Sequence, residues 1–78
     1  MGNVHQVEIV IHVDNALSDE QRAVLVNSLI AHDGVEHAKF TMGRDHLMVI
    51  DYDSNKLHSM DVLGYVRNEN LRAELVGI

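Results

Sequence analysis

Six histidines, at positions 5, 12, 32, 37, 46 and 58, are the side chains best suited to holding a ligand, and they are many for 78 residues. Neutral imidazole binds borderline ions such as Zn(II), Ni(II), Cu(II) and iron. No pair or triple of them falls at a recognised ligand spacing, so the fold must assemble any site. Cysteine is absent, which removes disulfides, thiolate nucleophiles and thiolate metal sites together. Catalysis finds little to work with. No nucleophile stands with a base and an orienting group, and no glycine-rich phosphate loop is present. The best acid pair, Asp51 and Asp53, lies at a strand end where one carboxylate points out and the other turns away. The chain reads as non-enzymatic.

The formal net charge is −6, from 12 acidic and 6 basic residues. The lysines and arginines (22, 39, 44, 56, 67 and 72) are scattered along the chain. A phosphate backbone needs clustered positive charge, so nucleic acid and anionic membrane are poor partners. With 46% hydrophobic residues the chain supports one core and one domain over residues 1–78. At this length it buries only about 60% of the surface its unfolded chain exposes. Residues 1–5 lead straight into a strand pattern, with neither a basic stretch nor a long apolar run, so no signal peptide or transmembrane segment is expected. A cytoplasmic location is the expectation.

Alternation defines the first strand: Val7, Ile9, Ile11 and Val13 share one face, with Glu8, Val10 and His12 on the other. Ser18 caps a first helix, and Gln21 three residues on completes a capping box. That helix runs through Leu25, Val26, Leu29 and Ile30 to a stop at Asp33-Gly34. Strand two presents Ala38, Phe40 and Met42 to the core, Gly43-Arg44-Asp45 reads as a hairpin turn, and strand three turns Met48, Ile50 and Tyr52 inward. A second helix from about His58 to Glu69 buries Val62, Leu63 and Val66. Gly64 within it costs about 1 kcal/mol relative to Ala, which suggests close packing or a weaker helix. Strand four, Leu71 to Val76, completes the order βαββαβ. That order implies an α+β, ferredoxin-like fold: a four-stranded antiparallel sheet with two helices on one face. The open face then carries His37, Lys39, Thr41, Asp51, Arg72 and Glu74 around an apolar patch of Val10, Leu47, Val49 and Val76.

The joint spacing of Gly34-Val35, Ala38, Phe40, Tyr52-Asp53 and the ending Asn70 to Val76 resembles the heavy-metal-associated domain of copper chaperones and metal-pumping ATPases. The resemblance covers nearly the whole chain. It places the two metal-binding cysteines of that family at Ser18 and Gln21 and its Gly-Met at Asn15-Ala16, so all four signature positions are changed. The family's late glycine is here Asn70, which tolerates the left-handed conformation. The loop offers Asp14, Asn15, Ser18 and Gln21. Soft Cu(I) needs sulfur, so the copper site implied by the resemblance is not expected to persist.

The same topology sorts the histidines. His5, His32, His37 and His58 fall at the end opposite the family's metal loop, where two or three of them converging, with Asp33 or Asp53, would hold a divalent transition metal. His12 stands beside the apolar patch, where imidazole and Val10, Leu47, Val49 and Val76 suit haem or another flat cofactor. Dimerisation or docking of a protein partner is the plainer use of that face. His46 lies in or beside the hairpin turn and is expected to play no part there. Two functions follow: a non-catalytic carrier handling a metal or metal cofactor through histidine, or a metal-free interaction module using the open sheet face.

Overall fold

Alternating burial along β1 (Gln6–Val13) sends Ile9, Ile11 and Val13 into the core. α1 (Asp19–Ile30) follows, then β2 (Val35–Thr41), β3 (Arg44–Asp53), α2 (Ser59–Arg67) and β4 (Ala73–Val76). The structure is a computed structural model and describes residues 5–76. Its four strands form one antiparallel sheet in the order β2-β3-β1-β4. This is the ferredoxin-like α+β architecture.

Burial explains why the layers hold. Ile11, Val13, Met48 and Ile50 of the central strands and Leu29, Val62 and Val66 of the helices are all less than 2% exposed. Leu25, Leu63, Tyr52 and Ala73 extend the same cluster. Both helices therefore press their apolar stripes on the face that carries the odd residues of β1 and the even residues of β3. The opposite face is left to the other set.

Two glycines have conformational reasons to be where they are. Gly34, at φ 99°, passes so close to the segment before α2 that an added Cβ would lie 3.0 Å from Leu57 Cγ and Cδ1. Gly43, at φ 77°, makes the β2–β3 turn, and the strands close on it through the pair Thr41–Arg44. The turn is thus Met42-Gly43, and the inward position expected for Met42 is corrected: its side chain is 97% exposed. At the end of α1, Leu29 is buried and Ile30, the last helical residue, is 44% exposed. α2 ends at Arg67 and β4 begins at Ala73, each shorter than the sequence pattern suggests. Asn70 does take the left-handed conformation, with φ 64°. Gly64 is not a close-packing residue, since nothing lies within 4 Å of a Cβ built there.

Candidate metal centre

The loop after β1 is occupied by helix chemistry. Ser18 Oγ accepts from the Gln21 N–H at 3.1 Å, and Gln21 Oε1 accepts from the Ser18 N–H at 2.8 Å. Both side chains are thereby committed to satisfying amides at the start of α1. Arg22 donates to the Leu17 carbonyl at 2.6 Å, pairs with Asp19 and sits over the Phe40 ring at 5.9 Å. A fixed guanidinium and oxygen-only donors make this loop unsuited to a soft cation; the residues do not fit the copper of the family resemblance.

His32 and His37 make local side-chain contacts, while His5 and His58 bond through their backbones. His32 stacks on Tyr65 of α2, with centroids 3.7 Å apart and planes at 5°. His58 is the N-cap of α2, where its N–H donates to Asp61 Oδ2 at 2.8 Å. The His5 carbonyl accepts from the Ser54 N–H at 2.7 Å. His37 lies on the open face, 3.7 Å from Asp51 Oδ2 through Nδ1. At that end Lys56 Nζ also meets Asp33 Oδ1 at 3.0 Å; this hydrogen bond, then the charge of Asp33, raises the Lys56 pKa. Among the described residues, no group of three metal-ligating side chains contains any of these four histidines.

The register arranges the open face in rows. Val10 is opposite Val49 on one side and Val76 on the other. The next row sets His12 between Leu47 and Glu74. Val10, Leu47 and Val49 are half-buried by their neighbours, and Val76 is 40% exposed.

His12 is where donors gather. Its Nδ1 lies 2.8 Å from Asp14 Oδ1, and Glu74 faces it across the β1–β4 pairing. Ligand atoms of His12, Asp14 and Glu74 all lie within 4.8 Å of one another. The backbone fixes this corner: the Asp14 N–H donates to the Arg72 carbonyl at 2.8 Å, and the Arg72 N–H donates to Asn15 Oδ1 at 2.8 Å. These bonds continue the β1–β4 ladder past the strand ends and hold Asp14 near Glu74. His12 Nδ1 is buried and forms no hydrogen bond of acceptable geometry, although the carboxylate is close.

His46 belongs to the same corner, which sequence reasoning missed. It is in β3, its Nδ1 lies 2.7 Å from the Val13 carbonyl oxygen, and its ring stacks on His12. Donation to that carbonyl places the proton on Nδ1. The signal was hidden because β3 leaves regular pairing here: Met48 pairs with Phe40, yet the next pair is Arg44 with Thr41. Three β3 residues are extra, so alternation does not govern His46.

No family model matches the chain, and no curated protein matches it by sequence. Its fold nevertheless has close counterparts among solved structures. A copper-binding domain from the P-type ATPase HMA7 superposes with a TM-score of 0.80 at 16% identity, covering 90% of this chain and 93% of that one. Oxidised MerP from Ralstonia metallidurans gives 0.79 at 10% identity over 92% of this chain and 99% of that one. The yeast copper transporter domain Ccc2a, solved in apo and Cu(I)-loaded states, gives 0.76 at 14% identity, covering 90% and 94%. The chain shares the fold of these domains. At such identities the likeness carries the architecture and leaves the ligand to be argued from this chain's own residues. Among the described residues, no helix is long and apolar enough to cross a membrane.

Proposed function

We propose that this chain is a small, non-catalytic binding domain that handles a metal through histidine in place of the missing cysteines. The observation that carries the reading is the gathering of donors at His12, a half-exposed imidazole on the open face whose ligand atom lies with those of Asp14 and Glu74 within 4.8 Å of one another. The fold is shared with proteins whose structures are described as copper-binding. Between haem and an ion, the chemistry of the corner favours the ion. Two carboxylates beside His12 would meet the apolar face of a porphyrin, whereas they suit a cation.

Metal and haem analysis of the purified protein, followed by reconstitution, tests this. Stoichiometric uptake that disappears in His12→Ala supports it. Uptake of neither haem nor Zn(II), Ni(II) or Cu(II) overturns it.

A second reading, a metal-free interaction module, draws support from the row Val49–Val10–Val76. Its occupant would be a second copy of the chain. Because three of the four patch residues are half-buried already, the apolar area left to bury is small, which suits a weak dimer and not an obligate one.

A further inference from the structure

We infer that His12, Asp14 and Glu74 form a three-donor site for a borderline divalent cation of the Zn(II), Ni(II) and Cu(II) class, on the open sheet face at the β1 end of the loop and without the Ser18 and Gln21 positions that the fold's copper domains suggest. This rests on the reading of a histidine-based metal handler and names its donors and cargo class.

Geometry is the first argument. Donors around a tetrahedral Zn(II) are roughly 3.4 Å apart, given metal–ligand distances of about 2.0–2.2 Å. The three groups lie within 4.8 Å of one another, so they reach that spacing by small side-chain rotations. Asp14 and Glu74 are exposed and free to make them. The 2.8 Å between His12 and Asp14 must open by roughly half an ångström to admit the ion.

Charge is the second. Two carboxylates share this corner, and among the described residues neither forms a salt bridge to Lys or Arg. A divalent ion balances both and takes the imidazole as a neutral donor. A proton on His12 balances only one.

Donor softness is the third. One nitrogen with two carboxylate oxygens excludes Cu(I) and matches borderline divalent ions, while Ca(II) would want more oxygens. Backbone support is the fourth: His12 and Glu74 sit on paired strands, and the Asp14 amide is tied to Arg72, so two of the donors stand on rigid elements. With three protein donors, remaining coordination positions face solvent.

Isothermal titration of the full chain with Zn(II), and separately Ni(II), tests the site, with amide chemical shifts reporting where the ion binds. One ion per chain is expected, with shifts centred on His12, Asp14 and Glu74. Asp14→Asn and Glu74→Gln, both at exposed positions, should each weaken binding about tenfold or more while circular dichroism stays unchanged. His32→Ala, remote from the corner, should leave affinity as it was. If His12→Ala abolishes uptake but both carboxylate variants bind as the parent does, this donor set is wrong and the histidine-based reading stands. If no variant and no parent binds either ion, both fall.

Discussion

The imidazoles of His12 and His46 stack, with ring centroids 5.7 Å apart and planes inclined by 19°. His46 is held by the carbonyl of Val13, the residue that follows His12, so β1 anchors the ring that packs against its own histidine. His46 lies outside the three-donor group. It braces the His12 ring without joining the group.

That division of labour predicts an asymmetry between two substitutions. His46→Ala removes the brace and should weaken Zn(II) binding about tenfold. His46→Phe keeps an aromatic face against His12 and should recover most of the loss. Titration of both variants checks this. Equal loss in the two would mean that a His46 nitrogen, and not the ring, matters.

Ser18→Ala should destabilise the fold by about 1 kcal/mol through loss of the cap to the Gln21 amide. In a domain of this size that lowers the melting temperature by roughly 4–8 °C. Zn(II) affinity should not change, since Ser18 is not among the three donors and its hydroxyl is committed to the Gln21 amide. Thermal unfolding with and without metal separates the two effects.

Gly34, in the turn before β2, and Gly64, inside α2, should respond in opposite directions to alanine. Gly34→Ala meets both a positive φ and the 3.0 Å approach of Leu57, and should cost on the order of 1–3 kcal/mol. Gly64→Ala, in an α2 position with open space around it, should stabilise by up to about 1 kcal/mol. Urea unfolding of the pair measures both signs.

The strand faces, the capping box and the left-handed Asn70 were legible because each depends on local spacing: period two, a three-residue reach, a residue type suited to one conformation. The corner of His12, Asp14 and Glu74 was legible only in part. His12 and Glu74 both fall on the open face by alternation, but nothing in the sequence aligns β1 with β4 so as to set them opposite each other. Asp14 lies past the strand end, where alternation is silent. His46 was missed because the extra residues of β3 break the period. His32 and His58 were placed by topology at one end, and there the His32 ring lies on Tyr65 while His58 starts α2 through its backbone N–H.

Val49→Lys should leave the fold intact, because the side chain is on the face away from both helices, and should remove any self-association through the row with Val10 and Val76. At about 25 cal/mol per Å² of apolar surface, a few hundred Å² gives several kcal/mol before the costs of association. Sedimentation at several concentrations reads the result. A parent chain that stays monomeric at the highest of them removes the second reading.

The outer strand β2 takes two steps, from Val35 to His37, while its neighbour β3 takes one, from Tyr52 to Asp51. The surplus residue, Glu36, puts a kink and an acidic side chain on one border of the sheet. Straight, uncharged borders are templates on which foreign chains add as further strands, and a bend with charge spoils the match. A chain rich in alternating aliphatics thus carries its own guard against fibre-like growth on that side. Deleting Glu36 would even the ladder at this end of β2, and with it open that stretch of the border to unwanted strand addition.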